Sequence, residues 1–248
     1  MEEKNVGGDI VIRSPFFKKL ENFWYHYKWQ SLIALFLVLV LVVCSVQMCT
    51  REEYDLHVLY AGQKDVKKTA SDGLSEYRVL LSSLKTVTED YDENGEVTPN
   101  LQTLFLPSAD EIEKINASLP DGYEVQTQIV IENGDQLEGL MIMSDYYLCF
   151  LSEANYLAYR SRSKNFFASL TPYVGESDVE FYTGATDAVY LKSTSFGKLP
   201  GWDSLGDEIV ICLRNRSELT VRADKKGSQR QFERAEKTLK NIFAETNS

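Results

Sequence analysis

The stretch YDLHVLYAG, Tyr54 to Gly62, alternates polar and apolar residues and then runs apolar, the pattern of a β-strand that ends in a core. Downstream, Val66, Ala70, Tyr77, Leu81, Leu84 and Val87 recur at helical spacing as far as Asp90. A strand followed at once by a long helix is an α/β opening.

Upstream of that strand, Trp29 to Thr50 is 22 residues without a charge, bounded by Lys28 and Arg51 and free of Pro and Gly. At about 1.5 Å per residue, such a helix covers the ~30 Å hydrocarbon core of a bilayer. The pattern predicts a transmembrane helix over 29–50. Just ahead, FWYHYKW places Phe23, Trp24, Tyr25, Tyr27 and Trp29 at headgroup level, where rings with an apolar body and a polar edge concentrate. Phe16, Phe17, Leu20, Phe23, Trp24 and Tyr27 also fall at helical spacing between polar residues, which predicts a helix lying on the membrane surface before it turns into it. A plain extension of the spanning helix is the alternative.

Lys and Arg near the ends orient the span. Arg13, Lys18, Lys19 and Lys28 precede it, whereas Arg51 is followed by Glu52, Glu53 and Asp55, so residues 1–28 are expected in the cytoplasm and 51–248 outside. The long charged tail, the length of the apolar run and the missing A-x-A pattern point to an uncleaved signal anchor. Val43 and Met48 precede Cys44 and Cys49 where lipidation calls for a small residue.

The chain carries 26 Lys and Arg against 37 Asp and Glu, net charge -11, and the first fifty residues hold five of the former and four of the latter. The exterior part is therefore acidic, which disfavours a nucleic-acid partner. Of the four cysteines only Cys149 and Cys212 lie outside the anchor, each in an apolar run, and buried thiols are the simpler expectation than a disulfide.

Beyond the first helix, LQTLFLP, DYYLCFLS, DAVYLKS and DEIVICLRN read as strands. SADEIEKINASL opens on a Ser cap, DQLEGLMIMS and EANYLAYRS read as helices, and YEVQTQIVIENG suits either element. FGKLPGWDSLG is an irregular connection, and SQRQFERAEKTLKNIFAE closes the chain with Phe232, Ala235, Leu239 and Phe243 on one stripe. The expected fold is one N-terminal transmembrane helix followed by a single extracytoplasmic α/β domain with a mixed sheet.

DYYLCFLSEANYLAYRSRSKNFFASLTPYV resembles a strand, short helix and L-x-P-h return found in extracellular solute-binding proteins. Together with FWYHYKW, YDLHVLYAG and VYLKSTSFGKLPGW…DEIVICLR, it is similar to uncharacterised single-pass bacterial membrane proteins whose extracytoplasmic domain resembles one lobe of the type 2 periplasmic-binding-like fold. The resemblance implies capture of a small molecule or peptide. Two full lobes are the usual arrangement there, and 198 residues are short for both.

DYDENGEVTPNL matches a calcium loop at Asp90, Asp92 and Asn94, with Gly95 at the turn and Glu96 offering its carbonyl, but Leu101 stands where the bidentate carboxylate belongs. An acidic surface turn explains the same residues. Catalysis finds little material: His26 sits in the ring belt and His57 in the first strand, and two S-x-x-K matches, Ser82–Lys85 and Ser161–Lys164, lack companion motifs. Tyr146, Tyr147, Tyr156 and Tyr159 gather around a strand end, where open α/β sheets hold ligands, and Trp202 stands in a Gly/Pro loop; core packing is the alternative for all five. The resulting expectation is a non-catalytic, cofactor-free envelope protein, with calcium the one candidate ion. Its partners are the lipid bilayer and either a small ligand or another envelope protein.

Overall fold

A computed structural model of the protein describes residues 15–49, 54–66, 75–120, 122–175 and 178–244. It contains two compact units, Met1–Glu53 and Tyr54–Ser248.

The first unit holds helix α1, Pro15–Cys49. Its stretch Phe23–Ser45 is 23 residues long and contains an 18-residue window of mean hydropathy 2.1, long and apolar enough to cross a membrane. The rings of Phe23, Trp24, Tyr25, Tyr27 and Trp29 are all exposed on it. α1 continues unbroken through Lys28 and Trp29, which matches the alternative of a plain helical extension. Pro15 occupies its first position, where a missing N–H costs nothing, and no Pro or Gly follows to break the ladder.

The second unit is α/β. In chain order it comprises β1 (Leu56–Gly62), α2 (Glu76–Val87), β2 (Pro99–Phe105), α3 (Ala109–Ser118), α4 (Thr127–Met143), β3 (Leu148–Ser152), α5 (Glu153–Arg160), α6 (Thr171–Val174), β4 (Ala188–Tyr190), three 3-10 turns between Leu191 and Ser204, β5 (Ile209–Leu213), α7 (Glu218–Ala223) and α8 (Lys225–Ala244). The mixed five-stranded sheet has the order β2-β1-β3-β5-β4. β1 runs parallel to β2 and β3, and β5 runs antiparallel to β3 and β4.

Strands β3 and β5 are buried at every residue because both faces of the sheet are covered, so they read as apolar runs. Alternation decides which layer each side chain enters. Leu56, Val58, Tyr60, Phe150 and Ile211 pack with α2 and α8, whereas Leu59, Ala61, Cys149, Leu151, Val210 and Cys212 pack with Leu137 and Met141 of α4 and with α5. Cys149 and Cys212 are register partners across β3 and β5 and remain free thiols, with burial pushing the Cys212 thiol up.

The helices start where polar caps allow. Ser108 and Glu111 form a reciprocal capping box on α3, and Ser75 and Ser152 accept the Arg78 and Asn155 N–H groups at the starts of α2 and α5. α2 begins at Glu76; Ala70 falls outside the described residues. From Thr127 onward YEVQTQIVIENG joins DQLEGLMIM in the single helix α4 rather than forming a separate element.

Candidate functional site

Two regions concentrate the groups singled out above. The first is the turn from Asp90 to Thr98, between α2 and β2. Both Asp90 oxygens accept backbone N–H groups, Oδ1 from Asn94 at 3.2 Å and Oδ2 from Gly95 at 2.7 Å. The Gly95 contact leads in holding the Asp90 carboxyl below its ordinary range. Asp92 Oδ1 accepts the Asn94 N–H at 3.1 Å, and Asn94 Oδ1 accepts that of Glu96 at 2.8 Å. Gly95 has φ 90°, a conformation that suits glycine at the turn. Leu101, at the twelfth loop position, is buried in β2 and offers no oxygen from its side chain.

Sequence reading missed the third acid of this region. Asp55, fully buried at the foot of β1, accepts the Tyr91 N–H on Oδ1 at 2.8 Å and the Thr98 N–H on Oδ2 at 2.8 Å. Carboxylate oxygens of Asp55, Asp90 and Asp92 lie within 4.8 Å of one another. These residues, with Asn94 and the Glu96 carbonyl, are the ones that would hold calcium, a hard cation that takes six to eight oxygens. Asp55 lies 35 positions before Asp90, so no local motif announces it.

The second region is the carboxyl edge of the parallel strands, where Gly62, Phe105 and Ser152 end together. The chain leaves β1 for β2 on one side, while the strands beyond β3 lie on the other, so the topological switch point lies between β1 and β3. That crevice is filled. The Asn155 amide lies 3.5 Å from the Ala61 carbonyl, 3.2 Å from that of Leu106 and 2.9 Å from Ser152 Oγ. A Cβ on Gly62 would meet Tyr60 Oη at 2.8 Å and Ile209 Cδ1 at 2.9 Å, which leaves no space beside it. Next to the crevice is a shallow pocket of about 280 Å³, floored by Val66, Val79, Leu80 and Leu205. On its rim Lys64 reaches Glu76 at 3.4 Å and Ser204 Oγ at 2.7 Å.

The structure separates the aromatic residues that sequence placed together. Tyr146 and Tyr147 precede β3, whereas Tyr156 and Tyr159 lie on α5 beyond its far end. Tyr147, Tyr156, Tyr159 and Trp202 are buried and Tyr146 is half-buried. Each polar end is satisfied: Tyr146 takes the Asn100 amide at 2.9 Å, Tyr147 meets Ser228 at 2.7 Å, and Trp202 Nε1 donates to the Leu80 carbonyl at 3.1 Å. Tyr156 donates to Asp187 at 2.7 Å and Tyr159 to Glu138 at 3.3 Å. Burial pushes the Tyr156 hydroxyl up and carries that of Tyr159 to about 12. The five residues form parts of the two cores, not one lining. Comparison with protein-family models, with curated proteins and with solved structures finds no match to this chain.

Of the S-x-x-K pairs, Ser82 and Lys85 are exposed on α2, and the Ser161 hydroxyl donates to the Ala158 carbonyl at 2.9 Å. In contrast, the turn joining α3 to α4 and the first half of α4 expose apolar side chains: Leu119 by 37% and Tyr123 by 69% in the turn, Ile129 by 43% and Ile131 by 54% on the helix. The Asn116 side chain accepts the Val125 N–H at 2.7 Å and draws that turn together.

Proposed function

We propose that this chain is a membrane-anchored, extracytoplasmic and non-catalytic module that docks on another protein of the cell envelope. The observation that carries this reading is the filled crevice between β1 and β3, the place where an open α/β sheet would receive a small ligand. The exposed apolar residues between Leu119 and Ile131 supply the kind of surface a protein partner covers. The apolar length of α1 supports the anchor, and the Lys and Arg ahead of it support a cytoplasmic N-terminus.

A second reading, a solute-binding-like lobe that takes a small molecule, is favoured by the pocket beside Lys64, whose apolar floor and charged rim suit a compact polar ligand. A photoreactive residue at Ile129 of the full chain, activated in native membranes, separates the two. The docking reading expects one protein adduct of defined mass that disappears when Ile131 becomes Asp and persists when Lys64 becomes Ala. A small molecule that co-purifies with the chain and is lost in Lys64→Ala supports the second reading instead. Protease added to intact protoplasts should digest residues 54–244 and spare the N-terminal tail.

A further inference from the structure

Charge is divided unevenly along the exterior unit. Residues 54–213 hold 11 Lys and Arg against 26 Asp and Glu, net -15, whereas residues 214–244 hold 9 against 4, net +5. This reversal falls on α7, α8 and the segment leading into them. Two of the nine basic residues face inward. Arg214 is buried and donates to the Ser144 and Tyr146 carbonyls, and Arg234 donates to the carbonyls of Tyr54 at 3.0 Å and Asp55 at 3.2 Å. The other seven, Arg216, Arg222, Lys225, Lys226, Arg230, Lys237 and Lys240, are exposed.

Each of the four acids of this segment has a partner. Asp224 accepts the Gly227 N–H at 2.9 Å, Glu233 the Gln229 amide at 2.5 Å and Glu236 the Tyr173 hydroxyl, while Glu218 lies 3.5 Å from Arg222. Two large apolar side chains stand beside the basic ones, Met143 exposed by 72% and Leu219 by 51%, on elements joined by the Ser217 bond to the Ile142 carbonyl at 2.9 Å. Basic residues interleaved with exposed apolar ones are the composition of a surface that lies on lipid.

We propose that the exposed flank of α7 and α8 docks on acidic phospholipid headgroups of the bilayer that holds α1. The proposal rests on reading α1 as a membrane anchor. Charge complementarity selects the lipid, since residues 54–213 carry net charge -15 and only the segment of this flank carries a net positive charge. The tether selects the location. Gln231 and Arg234 of α8 bind the Tyr54 carbonyl, the first described residue of the unit, and only residues 50–53 separate it from Cys49. Five chain steps span at most about 18 Å, which is a short tether between this end and α1.

The test uses the full chain in vesicles of phosphatidylcholine, with or without a third of phosphatidylglycerol. Acetylation of Lys225 and Lys226 is followed by mass spectrometry against Lys198, which is exposed near the carboxyl edge. The proposal expects labelling of Lys225 and Lys226 to slow about five-fold in the acidic vesicles, the ratio that one basic residue at an anionic lipid surface supplies. High salt should restore the rate, and Arg222→Gln with Arg230→Gln should diminish the protection. Equal rates in both vesicle types would overturn it. So would protection that rises with protein density and ignores lipid charge, which would assign the flank to the acidic face of a second copy. Flotation of the chain with plain phosphatidylcholine vesicles after an alkaline wash tests the anchor separately; a chain that fails to float overturns the anchor reading and this proposal with it, whereas a chain that floats with unprotected lysines overturns the proposal alone.

Discussion

Asp55 Oδ1 accepts the Tyr91 N–H at 2.8 Å, binding the first turn of chain before β1 to the acidic turn 36 residues later. The other oxygen of the same carboxylate takes the Thr98 N–H at 2.8 Å and lies 3.3 Å from the Thr98 hydroxyl. One buried acid thus holds both ends of the turn that leads from α2 into β2.

Asp55→Asn replaces one accepting oxygen with an amide that faces N–H donors, leaving buried groups unpaired. The expected cost is about 3 kcal/mol. For a unit of this size that lowers Tm by roughly 6–12 °C. Thermal unfolding of the full chain in detergent, followed by near-ultraviolet circular dichroism, measures it; an unchanged Tm would show that the turn is held by other contacts.

Calcium is expected to leave Tm unchanged up to about 1 mM, the range of weak extracellular sites. Asp55 and Asp90 use both of their oxygens on N–H donors, and Leu101 withholds the bidentate ligand. A rise in Tm with calcium, absent with magnesium and abolished by Asp92→Ala, would show that the three carboxylates bind the ion and stabilise the fold by mass action.

Trp202 ties the irregular connection to the core. Its ring lies 4.4 Å from Phe150 and 4.8 Å from Phe196 between centroids, and its N–H caps nothing but the Leu80 carbonyl. Trp202→Phe should cost about 1–2 kcal/mol through the lost hydrogen bond and smaller ring, and Trp202→Ala about 3–5 kcal/mol through the cavity. Urea unfolding of the two variants, compared with the parent chain, reads the difference directly. Equal losses would place the effect in the hydrogen bond rather than in packing.

Tyr159, Tyr173 and Tyr190 have hydroxyls pushed up to about 12, first by burial and then by carboxylates that accept from them, Glu138, Glu236 and Glu153. The fold therefore favours the neutral phenol over the value near 10 of an unfolded chain. Their contribution is fully present below about pH 10 and is lost as pH rises toward 12. Absorbance at the phenolate band should show a late group of tyrosines whose ionisation coincides with loss of secondary structure. A single smooth titration near pH 10 with the fold intact would contradict the burial of these rings.

The elements of this protein were largely legible because they depend on local periodicity. The apolar run of α1 forms one helix, and the strands LQTLFLP, DYYLCFLS and DEIVICLRN and the stripe of Ala235, Leu239 and Phe243 bury what their spacing says they bury. Sequence was weakest where a helix is little buried: α4 buries only Leu137 and Met141 along its length, so solvent imposed no stripe on its first half and the alternation of VQTQIVI carried no structural meaning. The sites depend on positions far apart in the chain. Asp55 reaches the Asp90 turn, Asn155 fills the crevice that would have received a ligand, and Tyr146 and Tyr156, ten residues apart, stand at opposite ends of β3. Residue types and their spacing determined the long apolar helix and the α/β class by themselves, because helix and strand periods are properties of adjacent residues. Only the tertiary structure decided which acids meet, which rings are core and which edge is closed, because those contacts exist only after the sheet has brought distant segments together.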